Sequence, residues 1–315
     1  MAGRRPCVNS RMLSAVTDEE AIRSAYDGSS VAFRALEAWG WGELVNLGYY
    51  PLWALPQLAL GMGPFQRRLV ERALDLLDPR PGERVLDAGC GRGGSTARIA
   101  ARGAEALGLD LLPENADEAR ERFGANARLR FAAADVTRLP ASAAGVELRD
   151  GSFDAVLCLE AAFHFGEKGR RAFLEESWRV LRPGGRLVLV DFAWRDAAPE
   201  RIEALDRERH VRGTWCFSEF EPLERYRATA RALGFREAAL RDWTGPVTDT
   251  FQHVATALAR AGARAPLRWL LCRLRPGLRR IRPEEWDFLV ELMRAHDRVR
   301  RASRYVAFRF EKPPS

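Results

Sequence analysis

The chain has 315 residues, of which 50 are Lys or Arg and 43 are Asp or Glu, for a formal net charge of +7. That length is ample for a full hydrophobic core, and it allows one large α/β domain or one domain with a cap. The charge excess is concentrated in residues 260–304, which hold 13 Arg against five acids. A basic surface spread over the molecule for binding nucleic acid is therefore not expected.

The cysteines and the N-terminal residues predict the cellular compartment. Five cysteines show no C-x-x-C pair and no disulfide-like spacing, which predicts a reducing compartment and no metal site. The first 20 residues are polar and lack the apolar core of a secretion signal, so a cytoplasmic location is expected. Leu44 to Phe65 is apolar, but Pro51, Pro56 and Pro64 would interrupt a membrane-spanning helix, which favours a lid or loop over an apolar site.

The pattern predicts four segments. They are an N-terminal helical and lid segment, the core, a helical cap insertion and a final edge strand of the core sheet, at residues 1–63, 64–243, 244–302 and 303–315. In the first segment, the capping-box pattern Thr17-Asp-Glu-Glu20 predicts a helix towards Tyr26. The core begins with a helix over 64–77, whose apolar positions recur with helical spacing.

Within the core, apolar runs alternate with helical patterns, which indicates a parallel sheet with helices on both faces. Strands are expected near residues 84–88, 105–109, 129–134, 153–159 and 186–191, with helices near 95–102, 113–122 and 168–181. Phe235 to Trp243 and Tyr305 to Glu311 predict a closing antiparallel pair, and Ser218 is a candidate cap for a helix ending at Leu233. The expected fold is an α/β, doubly wound, mostly parallel sheet.

The stretch from Glu83 to Gly94, ERVLDAGCGRGG, is a short strand ending at Asp87, a glycine-rich turn and the start of a helix. Its glycines allow positive φ and close backbone approach, and the turn presents N–H groups that suit a carboxylate or phosphate. Asp110 ends the second apolar run, 21 residues after Gly89, where an acid reaches the hydroxyls of a ribose. The alternative is that Asp110 caps the turn before a helix at Pro113.

This loop resembles motif I of class I S-adenosylmethionine (SAM) dependent methyltransferases, and Leu181 to Phe192, LRPGGRLVLVDF, adds to the resemblance. Small-molecule, natural-product O-methyltransferases are the members that the chain resembles. The resemblance implies a seven-stranded, Rossmann-like sheet and SAM as the cofactor. The cofactor-binding residues that it implies are Tyr49, Asp87, Gly89, Cys90, Gly91, Gly93, Asp110, Leu111, Asp135, Val136 and Glu160.

Two of these assignments have structural alternatives. In relatives, the tyrosine of an N-L-G-Y-W segment closes over the methionine end of SAM, and Tyr49 corresponds to it. Tyr49 and Tyr50 would equally pack a loop onto the core. An acid at the position of Asp135 lies beside the adenine amino group in relatives, with the next backbone N–H, here that of Val136, on a ring nitrogen. The alternative is that Asp135 caps a turn.

The catalytic residues are predicted where the fourth strand ends, because open parallel sheets bind ligands at that edge. In the O-methyltransferases that the chain resembles, including those acting on sugar hydroxyls, the segment there often reads E-S-L-H-H. Its second histidine is the general base and corresponds to His164, whereas Phe163 replaces the first. Asp191 corresponds to the acid that helps to orient the base. The alternative for His164 is a packing or hydrogen-bonded histidine.

The resemblance implies a cytoplasmic SAM-dependent methyltransferase of natural product biosynthesis, a branch of secondary metabolism. Aromatic residues near the lid and after the fifth strand predict a small, fairly apolar acceptor, with a hydroxyl oxygen as the expected methylated atom. The alternatives are C- or N-methylation and a non-methylating SAM-binding protein in a biosynthetic complex. A nucleic-acid amino-methylase is disfavoured, because Glu160-Ala-Ala-Phe163 replaces the Asn/Asp/Ser-Pro-Pro-Tyr/Phe signature.

The basic segment has two interpretations. Leu267 to Ile281, LRWLLCRLRPGLRRI, mixes apolar and Arg positions. It would form a helix that packs one side on the core and leaves its arginines in water. Alternatively, residues 260–282 form a docking surface for an anionic membrane or for an acidic partner such as a carrier protein. Neither a nucleic-acid partner nor a membrane-spanning segment is expected.

Overall fold

The structure, a computed structural model, describes residues 22–23, 30–196 and 201–314. The helix predicted to start at Thr17 lies outside these residues, apart from Ile22 and Arg23. The strands are β1 (Arg84–Ala88), β2 (Glu105–Asp110), β3 (Leu129–Ala133), β4 (Ser142–Ala143), β5 (Val146–Glu147), β6 (Phe153–Leu159), β7 (Leu181–Trp194), β8 (Glu221–Pro222), β9 (Arg236–Asp242) and β10 (Ser303–Glu311). The α-helices are α1 (Val31–Ala38), α2 (Gly63–Leu77), α3 (Gly94–Ala101), α4 (Pro113–Phe123), α5 (Gly166–Val180), α6 (Arg201–Leu205), α7 (His210–Trp215), α8 (Leu223–Ala232), α9 (Thr250–Ala263), α10 (Ala265–Leu274) and α11 (Pro283–Ala302).

The central sheet has the order β3-β2-β1-β6-β7-β10-β9, and the short strand β8 pairs with β7. The strands from β3 to β7 in this order run parallel, whereas β10 is antiparallel to both β7 and β9. The strand order reverses between β1 and β6, which is where doubly wound sheets bind ligands beyond the carboxyl ends of their strands. The predicted α/β fold with a mostly parallel seven-stranded sheet is confirmed.

Helices cover both faces of this sheet, which explains why its central strands read as nearly continuous apolar runs. Val188 and Val190 of β7 pack in one cluster with Leu69 of α2. The neighbouring residues Leu187 and Leu189 pack in another cluster on the opposite face, which includes α5 and α8. Successive side chains of a strand point to opposite faces, so a single strand contributes to both halves of the core.

Two elements of the core have boundaries that differ by more than two residues from the sequence expectations. The helix expected from Ser218 begins at Leu223, because Glu221 and Pro222 pair with the end of β7 as β8. Pro222 is the residue before the helix, and its fixed φ suits that position. The fifth parallel strand starts at Leu181 rather than near residue 186, so the Pro-Gly-Gly turn lies within the extended segment.

Three α-helices lie between β9 and β10 in the chain, and they pack with α1. Ala259 of α9 and Trp286, Leu289 and Leu292 of α11 form a cluster with Ala32 of α1. Helix α11 is 20 residues long and leads directly into β10. The division of the chain into a core and a cap insertion stays a prediction. Ser303, directly after α11, pairs with Trp194, so the end of α11 lies beside the carboxyl end of β7.

The apolar stretch from Leu44 to Phe65 contains a 3₁₀ segment at Leu52–Leu60 and the start of α2. Leu44 and Leu47 are buried, whereas Leu52 and Trp53 are exposed, at 80% and 72%. Among the described residues, no helix has both the length and the apolar character that crossing a membrane requires.

The contact between α9 and α11 generates the first prediction. A Cβ on Gly262 of α9 would lie 1.9 Å from the ring of Trp286, so Gly262→Ala must push the two helices apart. Overpacking of this kind costs about 1–3 kcal/mol, and we expect a lower thermal midpoint by circular dichroism. Gly213→Ala in α7 is the control, because its Cβ would meet no atom within 4 Å and alanine favours a helix. Equal midpoints for the two variants would contradict the packing argument.

Candidate active site

The glycine-rich turn follows β1, and hydrogen bonds to Asp87, near the end of that strand, fix it to the start of α3. The hydroxyls of Ser95 and Thr96, at the start of α3, donate to the Asp87 carboxylate at 2.6 and 2.7 Å. Burial raises the pKa of Asp87 to about 6, and the two hydrogen bonds act in the opposite direction. The expectation that Asp87 faces the cofactor is corrected. Its side chain is buried between β1 and α3, and it fixes the turn rather than lining the cleft.

Different neighbouring residues exclude a side chain at different glycines of the turn. A Cβ on Gly89 would lie 2.4 Å from the Cβ of Ala161, so this position admits only glycine beside β6. Gly93 has a φ of +81°, and its Cβ would clash with Ala119 and Phe131. Gly93 therefore allows the turn to pack on α4 and β3, and it does not line the cleft, contrary to the expectation.

Asp110 ties the turn to the second strand. Its Oδ2 accepts from the N–H of Gly91 at 2.8 Å, and its Oδ1 accepts from Leu112 N–H and from Asn115 at 3.0 and 2.9 Å. The bond from Leu112 is the turn cap that the alternative interpretation predicted. Two carboxylate oxygens offer about four acceptor sites, so these three bonds leave room for a ligand hydroxyl. Burial raises the pKa of Asp110 above its ordinary value.

Asp135 also makes the turn contacts that its alternative interpretation predicted. Its Oδ1 accepts from the N–H of Thr137 at 2.8 Å and from the hydroxyl of Thr137 at 2.7 Å. The side chain remains exposed, and it borders the same cleft as the buried Val136. Capping the turn therefore orients Asp135 at the rim of the cleft.

The cleft has a volume of about 530 Å³ and lies over the carboxyl ends of β1, β2, β3 and β6. The predicted residues that line it are Gly89, Cys90, Gly91, Asp110, Leu111, Asp135, Val136, Glu160 and His164. Sequence reasoning missed Val45, Asn46 and Asn115, which also line it. Asn115 follows Pro113 by two residues on α4, and its bond to Asp110 depends on the fold of that turn.

Tyr49 lies away from the cleft, which corrects the expected role. Its ring contacts Trp243 edge-on with the centroids 6.0 Å apart, and the guanidinium of Arg72 lies over it at 5.4 Å. The N–H of Tyr49 donates to the carbonyl of Phe65, so the segment is fixed on α2. Its neighbours Val45 and Asn46 reach the cleft instead.

Glu160 stands at the end of β6 in a strained conformation, with a φ of +52°. The Tyr305 hydroxyl donates to its carboxylate at 2.6 Å, and the N–H of Leu47 lies 3.1 Å from Oε2. Burial raises the pKa of Glu160 from an ordinary 4.5 to about 8, and these two hydrogen bonds oppose the shift. Tyr305 is 145 residues away in the chain, so no local pattern indicates this pair.

His164 ends a 3₁₀ turn directly after β6 and borders the cleft. Its Nδ1 lies 2.9 Å from the carbonyl oxygen of Cys216, and its ring lies 3.9 Å from the ring of Phe163. A carbonyl can only accept, so Nδ1 carries the proton and Nε2 has the lone pair. Burial lowers the pKa of His164 to about 4, and the bond to the carbonyl acts in the opposite direction.

The expectation that Asp191 orients His164 is wrong in this structure. Asp191 is fully buried and accepts from the hydroxyl of Tyr226 at 2.6 Å, on the face of the sheet that α8 covers. Side chains along β7 alternate between the two faces of the sheet, and this alternation places Asp191 on the face that α8 covers. Burial raises the pKa of Asp191 to about 7, against the hydrogen bond from Tyr226 and the charge of Arg170. The Cys216 carbonyl takes the orienting position on His164.

A second, smaller cavity adjoins the cleft, and we call it the aromatic cavity. Its walls include Phe163, Phe192, Trp215, Phe217 and Phe220, and its volume is about 40 Å³. Glu160, Trp41 and Val45 line both this cavity and the cleft. Among the described residues, no group of His, Cys, Asp and Glu could hold a metal ion. The site therefore joins a polar cleft to an aromatic pocket at Glu160.

The raised pKa of Glu160 predicts a pH-dependent stability. The folded state holds this proton more tightly than the unfolded chain, so the wild type loses stability as pH rises from its ordinary pKa of 4.5 to about 8. Glu160→Gln keeps an acceptor for Tyr305 and removes the charge. We expect the variant to gain a few degrees in thermal midpoint over the wild type at about pH 8.5, and less at about pH 5.5. The exposed Glu121→Gln is the control, and a pH-independent gain for Glu160→Gln would contradict the assignment.

Comparison with known proteins identifies the family. Residues 85–185 match a family model described as a methyltransferase domain. The chain is 36% identical over 190 residues to demethylmenaquinone methyltransferase of Beutenbergia cavernae, covering 59% of this chain and 68% of that one. It is 30% identical over 206 residues to 27-O-demethylrifamycin SV methyltransferase of Amycolatopsis mediterranei, covering 64% and 70%. For 2-methyl-6-phytyl-1,4-hydroquinone methyltransferase of Synechocystis the identity is 29% over 222 residues, and the match spans 65% of this chain and 64% of that relative.

Solved structures share the fold at low identity. The [4+2]-cyclase SpnF has a TM-score of 0.66 at 18% identity, covering 96% of this chain and 98% of that one. A geranyl diphosphate methyltransferase in complex with SAM has a TM-score of 0.60 at 17% identity, covering 85% and 98%. The predicted family is confirmed by the matched domain and by relatives covered over more than two thirds of their length. The chain belongs to the S-adenosylmethionine-dependent methyltransferases that act on small molecules, and S-adenosylmethionine is its cofactor.

Proposed function

We propose that this enzyme methylates a hydroxyl oxygen of a small, fairly apolar natural product, with His164 as the general base. The observation that carries the proposal is the junction at Glu160, where the polar cleft meets the aromatic cavity. The ring of His164 borders the cleft and lies on Phe163, which lines the aromatic cavity. A base in this position would face an acceptor ring in the cleft, whose volume of about 530 Å³ exceeds the roughly 40 Å³ of the aromatic cavity, and the aromatic cavity would take an apolar substituent of that ring.

The cleft residues fit the cofactor in their chemistry. SAM supplies a methyl group that its positive sulfur already activates, so the chain mainly binds and orients. Gly89 and Gly91 allow close backbone approach for the amino-acid end. Asp110 keeps acceptor capacity for the ribose hydroxyls, with Leu111 beside it. Asp135 and Val136 would hold the adenine at the rim, with Cys90 and Glu160 completing the cofactor side.

The low pKa of His164 favours an acidic acceptor hydroxyl. An imidazole with a pKa of about 4 is neutral at physiological pH and ready to accept a proton. It is also a weaker base than an ordinary histidine, so it suits a phenol, with a pKa of about 10, better than an aliphatic alcohol. A relative in Synechocystis is named for a phytyl hydroquinone, and one in Arabidopsis thaliana for O-methylation of tocopherol. These names support a phenolic acceptor.

Two alternatives have specific support. C-methylation is supported by structural neighbours titled geranyl diphosphate C-methyltransferase. A non-methylating reaction is supported by the neighbour titled a [4+2]-cyclase. In both alternatives no methyl group is transferred to oxygen, so His164 would not act as the base for a hydroxyl group. Release of S-adenosylhomocysteine separates methylation from the second alternative, and the position of the methyl group in the product separates it from the first.

His164→Gln tests the base. We expect kcat for a phenolic acceptor to fall about 10²- to 10⁴-fold, because a glutamine amide cannot accept the hydroxyl proton. SAM affinity by calorimetry should change little. His253→Gln is the control, because His253 is exposed on α9. S-adenosylhomocysteine release measures the rate, and full turnover by His164→Gln would rule out base-assisted transfer to oxygen.

We also propose that residues 260–282 contact an anionic membrane surface, and that a cytoplasmic enzyme uses this face to approach lipophilic acceptors. Residues 250–283 contain eight Arg and no Asp or Glu. No side chain of α10 is fully buried, and the helix packs on the α1, α9 and α11 cluster only through the half-buried Leu271 and Cys272. Trp269 and Leu274 are 63% and 66% exposed. Arginines beside exposed Trp and Leu are typical of helices that lie in a membrane interface.

The 3₁₀ segment Leu52–Leu60 extends this face. The guanidinium of Arg275 donates to the carbonyl of Ala59 at 2.6 Å, so the end of α10 lies beside the segment that exposes Leu52 and Trp53. Exposed apolar side chains from two segments then share one side of the molecule with the arginines. This combination favours a lipid surface over an acidic protein, since an acidic partner would need the charges alone.

Vesicle sedimentation tests the membrane contact. We expect the protein to pellet with vesicles containing phosphatidylglycerol and far less with phosphatidylcholine alone, because arginines attract anionic headgroups. Trp269→Ser should weaken binding about tenfold, since one large apolar side chain is lost from the interface. Phe288→Ser on α11 is the control for an exposed aromatic residue. Equal sedimentation with both lipids would contradict the proposal.

A further inference from the structure

A third cavity lies behind the aromatic cavity, and we call it the apolar chamber. Helices α1, α9 and α11 form its walls, with Leu36, Leu258 and Leu289 among the lining side chains. Its volume is about 160 Å³, and its lining consists of aliphatic and aromatic residues. A buried water needs two to four polar partners, so a chamber with this lining does not favour water.

The apolar chamber adjoins the candidate active site, with the ring of Trp215 as their common wall. Trp215 lines both the chamber and the aromatic cavity, and Glu160 lines both the aromatic cavity and the cleft. The three spaces therefore form a row from the cofactor cleft, past the reacting position, into the helices. The indole N–H of Trp215 and Nε2 of His296 lie 3.0 Å apart, which holds the ring at the boundary.

We propose that the apolar chamber binds the aliphatic or isoprenoid chain of an acceptor whose reacting ring lies beside His164 in the cleft and whose chain passes through the aromatic cavity. The inference rests on the proposed function and names its substrate class, an amphiphile with a hydroxylated ring and an apolar chain. An apolar cavity of about 150 Å³ takes one benzene molecule, so the chamber, of about 160 Å³, accommodates about six carbons of the chain. The half-buried Leu36 and Leu258 show that the chamber reaches the surface, where a longer chain would continue.

The position of the apolar chamber beside the arginines of residues 260–282 supports an apolar chain as its ligand. The chamber is also lined by Leu58 and Leu278, which belong to the 3₁₀ segments Leu52–Leu60 and Pro276–Arg280 on either side of the Arg275 contact. The chain of a membrane-resident acceptor would thus enter beside the face that exposes Trp53 and Trp269. The described residues of this lining include no charged side chain, so a charged group would find no partner of opposite sign among them.

A chain-length series tests the chamber. The substrates are 4-alkylphenols from methyl to dodecyl, with S-adenosylhomocysteine release as the assay. We expect kcat/KM to rise about fourfold per methylene for the first six carbons and then to level off, because burial of each methylene favours binding. Leu258→Trp, which fills the chamber, should remove this rise and leave kcat/KM for 4-methylphenol unchanged. Leu258→Ala should extend it to longer or branched chains. Ala257→Trp, exposed on the same helix, is the control and should behave as the wild type.

A binding measurement keeps the chamber and the proposed function separable. N-phenyl-1-naphthylamine is titrated by fluorescence into the protein with S-adenosylhomocysteine present, and decan-1-ol is used to displace it. We expect Leu258→Trp to weaken probe binding at least about tenfold and Ala257→Trp to leave it unchanged. Probe binding without turnover of any phenol would refute the phenolic function and retain the chamber. Equal probe affinity in both variants, with the same chain-length slope as the wild type, would overturn the chamber.

Discussion

The hydrogen bond from the N–H of Gly91 to the carboxylate of Asp110 joins the ends of two adjacent strands. The glycine-rich turn of β1 and the acid of β2 therefore act as one unit, and Asp87 holds the same turn against α3 from the other side. The cleft residues that follow β1 and β2, Gly89 to Gly91 and Asp110 to Leu112, are positioned by this unit. A side chain on Gly89 would separate it from β6, because the available space ends at Ala161.

Buried carboxyl groups recur around the site, and hydroxyl donors rather than cations contact them most closely. Ser95 and Thr96 donate to Asp87, Tyr305 donates to Glu160, and Tyr226 donates to Asp191. Burial raises the pKa of each of these acids. A neutral or partly protonated acid can form such bonds without the desolvation cost of a buried charge. Buried arginines pair with other acids instead, as Arg170 does with Glu221 at 2.6 Å.

Local patterns in the sequence were sufficient to predict the sheet and the cleft loop. Apolar runs, the glycine-rich turn and the acids after β2 and β3 are all read within about 25 residues. Side-chain partners from distant segments were not predictable in this way. Tyr305 reaches Glu160 only because β10 lies beside β7, and the alternation along β7 directs Asp191 towards Tyr226. The position of Tyr49 is a further example, since the packing of α2 and Trp243 decides which residues of its segment face the cleft.

The position of β10 has a consequence for how the enzyme matures. This strand follows the other strands of the described sheet in the chain, yet it lies between β7 and β9 and carries Tyr305. During synthesis, β7 leaves the ribosome long before its antiparallel neighbour, so its edge stays unpaired while α9 to α11 are being made. Glu160 lacks its hydroxyl donor over the same interval. Chaperone demand should therefore be highest between the synthesis of β7 and that of β10, and ribosome stalling within α11 would yield chains with a formed nucleoside cleft but an incomplete methyl-transfer site.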